Sequence, residues 1–359
     1  MSDKNRPSSL ALALQEEPPM AVRDIAHVEM YTRDKVSTVE YFVSAMGFTR
    51  VADSVEVDRS SALLRQGELQ LVVTSGRGVW KFLDEHGDGI ADIAFTCDDV
   101  TVTHDSAVAA GAKSMGAPYG SPVVSGFGAV SHTLVPLLES PATTLPAGRR
   151  WVAAQESQPR SAGSVRLLDH VAICLEGGSL EDYADFYRDA FGFSRYSSEY
   201  VAVGGQAMDS LVVRSESERV IFTLVAPDPT KEAGQLDAFL QRNAGPGVQH
   251  LAFLVDDIIP AVRDFRDRGV EFLSTPDSYY DMLSDRLAGM GEEIAGLREA
   301  QVLADSDEWG HLLQLFTRSP YERNTLFFEL IQRQGSRGFG SANIRALYEA
   351  VERDRLTAS

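Results

Sequence analysis

Two histidines and one glutamate have the residue types and surroundings of a metal site. His170, His250 and Glu329 each lie within a short apolar run, at residues 168–174, 247–255 and 325–331. Two imidazoles and one carboxylate form the facial ligand set of non-haem iron(II), which leaves coordination positions open for substrate and dioxygen. An unpaired carboxylate buried among apolar residues is strongly unfavourable. Glu329 must therefore meet a cation, which is either a metal ion or an arginine, and Arg333 is the closest arginine in sequence.

An internal repeat explains how the two histidines could meet. Residues 87–100 align without gaps on residues 245–258, residues 25–28 on 168–171, and residues 45–50 on 190–195. His170 and His250 thus open the third and fourth of four similar modules, so a pseudo-twofold axis would direct both imidazoles into one cavity. Alternation along a strand predicts that His170 shares a face with Leu168 and Ala172, and His250 with Val248 and Ala252.

The first half lacks the same set of residues. It has His27, but Asp92 stands where the second half has His250, and no counterpart of the apolar strand with Glu329 follows. We therefore expect the first half to be a scaffold without a metal. The histidines outside the predicted site are expected to have ordinary structural roles: His27, His86, His104, His132 and His311.

The modules that position these residues have the order βαβββ. In the third module, residues 180–191 have the apolar spacing of a helix, and strands are predicted at 200–203, 210–214 and 220–225. The fold class is therefore α+β, with tandem modules in two similar domains. We expect a flexible tail at 1–21, a non-catalytic domain at 22–138, a linker at 139–163 and a catalytic domain at 164–359. That last domain should end in a closing helix that Ser341 caps, with Ile344 on its apolar stripe.

Composition excludes several classes of partner. The 359 residues carry a formal net charge of -19, which would repel nucleic acid and acidic membrane surfaces. No apolar run approaches the ~20 residues of a membrane-spanning helix. The two cysteines, Cys97 and Cys174, lie in apolar runs and are expected to be buried thiols. These features predict a cytoplasmic enzyme with a small-molecule substrate, and they do not decide between a monomer and a homodimer.

At these residues the chain resembles the 4-hydroxyphenylpyruvate dioxygenase and 4-hydroxymandelate synthase family over residues 22–353. The resemblance is carried by Leu-Asp-His-Val-Ala-Ile at 168–173, Gly-Val-Gln-His-Leu-Ala-Phe at 247–253, Gln-Leu-Phe-Thr at 314–317, Phe-Phe-Glu-Leu-Ile-Gln-Arg at 327–333 and Gly-Phe-Gly at 338–340. It implies the vicinal-oxygen-chelate (glyoxalase and dioxygenase) fold, in which each domain is an open barrel of mixed sheet with outer helices. It also implies one iron(II) per chain, bound by His170, His250 and Glu329, and turnover of 4-hydroxyphenylpyruvate and O2 with loss of CO2.

The resemblance further implies a set of pocket residues. Those with an implied catalytic role are Gln235, Gln249, Gln314 and Asn343, and those with an implied role in binding substrate are Ser210, Thr223, Val225, Phe316, Phe327, Phe339 and Ile344. Family members that form homogentisate typically have proline, asparagine and phenylalanine where this chain has Thr223, Val225 and Ile344. Members that form 4-hydroxymandelate have threonine, an aliphatic residue and isoleucine there, so we expect the mandelate product and a role in peptide-antibiotic biosynthesis.

Two other classes share this architecture. Modules of this type also build proteins that sequester small molecules without a metal, but the complete set of His170, His250 and Glu329 argues against that function. Extradiol dioxygenases and glyoxalase-like isomerases use a similar set of ligands. They would leave the terminal segment with Phe339 and Asn343 unexplained.

Overall fold

Each half of the chain contributes eight strands to one mixed sheet. The structure is a computed structural model that describes residues 22–137, 144–157, 163–287, 291–340, 342, 343 and 345. The strands of the first half are β1 (Val22–Tyr31), β2 (Thr49–Val55), β3 (Ser60–Gln66), β4 (Leu69–Ser75), β5 (Gly89–Cys97), β6 (Val123–Ser125), β7 (Ser131–Pro136) and β8 (Val152–Ser157). Its helices are α1 (Lys35–Glu40), α2 (Trp80–His86) and α3 (Val100–Ala109), and a π-helical turn, Tyr41–Ala45, extends α1.

The second half repeats this plan with longer insertions. Its strands are β9 (Val165–Cys174), β10 (Ser194–Val203), β11 (Gln206–Arg214), β12 (Ile221–Pro227), β13 (Gly247–Val255), β14 (Leu303–Asp307), β15 (Gly310–Phe316) and β16 (Phe327–Gln334). Its helices are α4 (Leu180–Phe191), α5 (Gln235–Asn243), α6 (Ile258–Asp267), α7 (Asp277–Arg286) and α8 (Gly291–Ala300). The helix predicted at 180–191 is confirmed with the same bounds, and Gly192 ends it in a left-handed conformation, φ 72°.

The strand order confirms the duplication. The two sheets run β6-β7-β5-β1-β4-β3-β2-β8 and β10-β11-β12-β9-β13-β16-β15-β14. In each sheet the opening strands of two modules pair antiparallel at the centre, β1 with β5 and β9 with β13. The last strand of each module then pairs parallel with the strand that opened it. This α+β arrangement, with helices outside open barrels of mixed sheet, is the predicted fold.

Two parts of the first half differ from the simple repeat. Between α3 and residue 137 only two strands follow, β6 and β7, and a single bridge between Ser114 and Val124 occupies the place of the missing strand. The segment predicted as a linker, 139–163, is described over residues 144–157, where β8 pairs antiparallel with β2 at the sheet edge. The predicted tail at 1–21, Ile344 and most of the predicted terminal helix lie outside the described residues.

An aromatic cluster joins the halves. Phe95 of β5 and His132 of β7 pack against Tyr187, Phe191 and Phe222 of the second half, with ring centroids 5.3 to 6.1 Å apart across the boundary. The His132 ring donates through Nδ1 to the Ile93 carbonyl, 3.0 Å away, and accepts from the Tyr187 hydroxyl at 2.8 Å. Buried polar groups of this kind hold one arrangement of the core, since an unpaired alternative is costly.

No helix in the described part of the chain is long and apolar enough to cross a membrane.

Candidate metal centre

The three predicted ligands lie in two adjacent rows across the second sheet. Strand pairing aligns His170, Ala252 and Glu329 in one row, and Ala172 and His250 in the next. Directly paired residues point to the same face of a sheet, so the three side chains converge on the concave side. Alanine at the two intervening positions leaves room for an ion between them.

Two β-bulges place a hydrogen-bond acceptor beside each histidine. In the pairing of β9 with β13, Asp169 and Gln249 are the extra residues that have no partner on the other strand. A bulge interrupts the alternation of side chains, so each extra residue can reach the histidine that follows it. The His170 Nδ1–H group donates to Asp169 Oδ2 at 2.8 Å, and the His250 Nδ1–H group donates to Gln249 Oε1 at 3.2 Å. Both hydrogen bonds leave Nε2 as the free lone pair, which is the form that binds a metal.

The bulges correct one expectation about faces. Val248 pairs with Ile173 and Leu168 with Phe253, and all four belong to or pack on the main hydrophobic core. The predictions that Val248 shares a face with His250, and Leu168 with His170, were therefore wrong. Simple alternation fails because the extra residue at each bulge reverses the side-chain direction.

The ligand atoms meet at one point. Glu329 Oε2 lies 3.4 Å from His170 Nε2 and 3.1 Å from His250 Nε2, and the two imidazole centroids are 5.6 Å apart. One ligand atom from each residue lies within 4.8 Å of the other two, and within the described residues no other His, Cys, Asp and Glu side chains form such a group. The His250 Nε2 atom is buried and makes no hydrogen bond. A buried lone pair without a donor, beside an anion, fits a bound cation.

The electrostatics also favour a cation. Burial alone would raise the pKa of Glu329, but the two imidazoles beside it hold that pKa at about 2, so the carboxylate is charged. Burial lowers the pKa of His250, which keeps its ring neutral. Burial opposes the charged form of His170 as well, yet Asp169 and Glu329 raise its pKa to about 9, so its Nε2 holds a proton that a metal ion would displace. The flanking carboxylates thus attract positive charge to this point, and a divalent metal ion would supply it.

Arg333 does not pair with Glu329, which was the alternative to a metal that the sequence offered. Its guanidinium forms a two-point ion pair with Asp169, with nitrogen–oxygen distances of 2.7 Å, and it does not pair with Glu329. Although burial disfavours the charge, Arg333 holds the pKa of the Asp169 carboxyl well below its usual range. The guanidinium also donates to the Gly338 carbonyl at 2.7 Å and lies over the Phe339 ring. Asp169 and Arg333 therefore connect His170 to the terminal segment, a link that sequence reasoning missed.

A chain of amides holds the other side of Glu329. Gln314 Nε2 donates to Glu329 Oε1 at 3.1 Å, and Asn343 Nδ2 donates to Gln314 Oε1 at 3.0 Å. The Tyr279 hydroxyl donates to Asn343 Oδ1 at 2.7 Å. Gly340, in the left-handed conformation at φ 74°, allows this approach, because a Cβ there would lie 1.7 Å from Gln314 Oε1. Tyr279 is a supporting residue that carried no motif signal.

A cavity of about 300 Å³ lies next to the site, separated from His170 by Phe339, and none of the three ligands lines it. Four predicted substrate contacts, Ser210, Thr223, Val225 and Phe339, line it, and the Phe339 ring meets the His170 ring edge-on at 5.3 Å. Strand pairing puts Thr223 beside Ala172, in the same row as His250. The Thr223 Oγ1 atom is buried and makes no hydrogen bond. Among the lining residues that sequence reasoning did not name are Asp307, Trp309 and Arg337.

The remaining predicted pocket residues divide into two groups. Phe327 stacks on the His250 ring at 5.0 Å, and Phe316 packs against both rings, at 5.8 and 6.1 Å. Gln235, in contrast, is exposed at the start of α5 and lines a neighbouring cleft that shares only Val201 and Met208 with the cavity. The structure therefore does not bring Gln235 to the three ligands. Ile344 lies outside the described residues.

The comparisons with known proteins agree with this geometry. The chain matches the family model described as hydroxyphenylpyruvate dioxygenase, N-terminal, over residues 16–136, and that of the glyoxalase, bleomycin resistance protein and dioxygenase superfamily over residues 167–315. It is 30% identical to a 4-hydroxyphenylpyruvate dioxygenase of Aspergillus fumigatus, over 92% of each chain. A 4-hydroxyphenylpyruvate dioxygenase of Neurospora crassa is 34% identical, over 76% of this chain and 71% of that one.

A solved structure extends the likeness. The structure of a triply substituted 4-hydroxymandelate synthase from Streptomyces coelicolor superposes with a TM-score of 0.85 and 49% sequence identity, over 94% of this chain and all of that one. Full-length similarity in sequence and structure accompanies the buried pair of histidines and the glutamate. The chain therefore belongs to the 4-hydroxyphenylpyruvate dioxygenase family, within the vicinal-oxygen-chelate superfamily.

Proposed function

We propose that this dioxygenase converts 4-hydroxyphenylpyruvate and O2 into 4-hydroxymandelate and CO2. The observation that carries the proposal is the buried group of His170, His250 and Glu329 beside a largely apolar cavity. In the reaction the keto acid loses its carboxyl group as CO2. One oxygen atom enters the new carboxylate, and the other becomes the benzylic hydroxyl, so that atoms and electrons balance without a second cosubstrate.

His170, His250 and Glu329 would hold one iron(II). When bound, iron(II) supplies open coordination positions for the keto acid and dioxygen, together with redox chemistry that no side chain provides. The protein supplies orientation. Asp169 and Gln249 fix the tautomers of the two histidines, and Gln314 holds the Glu329 carboxylate through one oxygen.

The aromatic residues and Thr223 have separate roles in this proposal. Phe316, Phe327 and Phe339 surround the imidazoles and exclude water from the reacting atoms. Thr223 offers a buried hydroxyl without a hydrogen bond, which a polar group of the substrate can satisfy. The structure gives no contact that supports a catalytic role for Gln235.

The mandelate product is supported by two observations. Val225 lines the cavity with an aliphatic side chain, which allows the substrate ring to turn so that its CH2 group faces the metal. The solved structure at 49% identity is of a 4-hydroxymandelate synthase. We expect Val225→Asn, especially combined with Ile344→Phe, to divert part of the turnover to homogentisate or 4-hydroxyphenylacetate. A change of ~1.4 kcal/mol in relative barriers alters a product ratio about tenfold. Chromatography that finds an unchanged product ratio in the double variant would refute this steering role.

Identification of the product tests the proposed function. The protein is reconstituted with iron(II) without oxygen, then given O2 and 4-hydroxyphenylpyruvate, and the products are separated by chromatography. The proposal requires 4-hydroxymandelate as the main product. Homogentisate would assign the chain to the other activity of its family. Tight binding of 4-hydroxyphenylpyruvate without turnover would indicate a small-molecule-binding protein instead.

Substitution of the ligands tests the site itself. His170→Ala, His250→Ala and Glu329→Ala should each abolish turnover and lower the bound iron, while circular dichroism shows a folded chain. His311→Ala is the matched control, because His311 lies on β15 of the same sheet, away from the three ligands. Normal turnover in any of the three ligand variants would remove this assignment.

A further inference from the structure

The first half contains a second cavity, at the place that corresponds to the metal centre. Its volume is about 170 Å³. On this measure one water needs only about 10 to 15 Å³, so the cavity has room for an organic molecule of several heavy atoms. It lies in the half of the chain that holds none of the three ligands and no residue of the cavity beside them.

Strand register identifies the residues that replace the ligands. His27 pairs with Ala94 as His170 pairs with Ala252, and Asp92 occupies the position of His250. Asp92 pairs with Ser131, so the same parallel register puts Thr133 where Glu329 stands. All three replacing residues line the cavity. The cavity has thus kept its position and converging side chains, but it has lost the donor set that would bind a metal.

Two charged side chains of this cavity are only partly satisfied. Asp92 Oδ1 accepts from Ser131 Oγ at 2.6 Å, while Asp92 Oδ2 is buried and makes no hydrogen bond. The half-buried Arg59 donates to the Tyr119 hydroxyl at 3.3 Å and pairs with no carboxylate among the residues that the structure describes. The other arginine, Arg149, is already paired with Glu29 and bonded to Ser61. A ligand of this cavity should therefore carry a hydrogen-bond donor for Asp92 Oδ2 and an anionic group for Arg59.

We propose that the first half binds a small hydroxylated monocarboxylic acid without a metal. Its carboxylate pairs with Arg59, its hydroxyl donates to Asp92 Oδ2, and its apolar part packs against cavity residues such as Met115 and Val135. Charge-assisted hydrogen bonds of this kind are the stronger ones, and a satisfied buried acceptor removes a cost from the folded chain. None of the three candidate metal ligands lines this cavity. The proposed binding site can therefore be confirmed or refuted separately from the proposed reaction.

Titration calorimetry of the metal-free protein with mandelate at pH 8, where the Asp92 carboxyl has mostly lost its proton, tests the site. Phenylacetate, which differs by lacking the hydroxyl, is the matched probe and should bind about tenfold more weakly. Arg59→Gln and Asp92→Asn should each weaken mandelate binding by about tenfold or more, while Arg59→Lys keeps part of the affinity. Arg337→Gln is the matched control, because Arg337 lines the cavity of the second half and should leave this binding event unchanged.

Three results would overturn the proposal. The first is no heat of binding at millimolar mandelate. The second is wild-type affinity in both Arg59→Gln and Asp92→Asn. The third is loss of binding in Arg337→Gln alone, which would assign the event to the other cavity. Arg59 is partly exposed, so Arg59→Gln gives an answer even if the buried Asp92→Asn substitution impairs folding.

Discussion

At the scale of single residues, Asp169 should control how tightly the metal is held. Its carboxylate accepts from His170 Nδ1 and from the Arg333 guanidinium, and an amide cannot accept from both in the same way. We expect Asp169→Asn to lower metal affinity by about 10- to 100-fold, as is usual when a histidine loses its orienting partner. Anaerobic titration with iron(II), or with cobalt(II) followed by absorption, measures this. Asp256→Asn, which alters an exposed ion pair with Arg166, is the control, and equal affinities in both variants would contradict the expected role.

Asp92 should make stability depend on pH. Burial raises its pKa from 3.8 to about 7. Between these values the folded chain keeps a proton that the unfolded chain has lost, so the folded state loses stability as pH rises through this window. Three pKa units correspond to about 4 kcal/mol. Asp92→Asn does not titrate and should therefore gain about 2 to 3 kcal/mol relative to wild type between pH 5 and 8. Urea unfolding of wild type and Asp92→Asn at pH 5 and at pH 8 measures this change. A difference in unfolding free energy between the two proteins that is the same at both pH values would contradict the effect of burial on Asp92.

At the scale of elements, the segment before β8 packs against β1 of the first half. Its Arg149 side chain is only 3% exposed and pairs with the buried Glu29 of β1. Removing one partner of a buried pair leaves the other charge uncompensated, which typically costs about 3 to 5 kcal/mol. Arg149→Met should lower the free energy of unfolding by this amount. Adding Glu29→Gln should restore most of it, because an amide still accepts from Thr74.

Denaturant unfolding of the single and double variants measures this coupling. Arg150→Met is the matched control, since Arg150 is the exposed neighbour in the same segment. A loss in Arg149→Met no larger than that of the control would show that the segment is only a tether. A double variant that is no more stable than Arg149→Met would also contradict the predicted coupling between Arg149 and Glu29.

Most of the elements and the proximity of His170, His250 and Glu329 could be predicted from sequence, because repeat alignment and periodicity are local signals. The helix at 180–191 and the pairing of His170 with His250 follow from these alone. The bulges at Asp169 and Gln249 could not be predicted, because an extra residue in a strand is defined only by the partner strand. The role of Tyr279 and the pairing of Arg333 with Asp169 were missed for a related reason. The partners are distant in sequence, so no spacing along the chain predicts these contacts.

At the scale of the whole molecule, the first half supports the strand that carries Glu329. Phe42 of the π-helical turn lies 5.4 Å from the Phe328 ring, and Phe48 lies 6.1 Å from Phe253, which itself stacks on Phe328. Phe328 is the neighbour of Glu329 and points to the opposite face of β16, into the core shared by both halves. The first half, which lacks the three candidate ligands, thus packs directly against the strand that carries Glu329.

Because only the second half has the three candidate ligands, we predict one iron per chain. The first half keeps the bulges next to His27 and Asp92, but the extra residues there are Ala26 and Ala91, which cannot orient an imidazole as Asp169 and Gln249 do. With Thr133 in the place of Glu329, the first half lacks both the ligands and the residues that would support them. Metal analysis of the reconstituted chain should give one tightly bound iron, and Glu329→Ala should reduce it to near zero. Two irons per chain, or iron retained in full by Glu329→Ala, would show that the first half binds metal and would overturn its role as a scaffold.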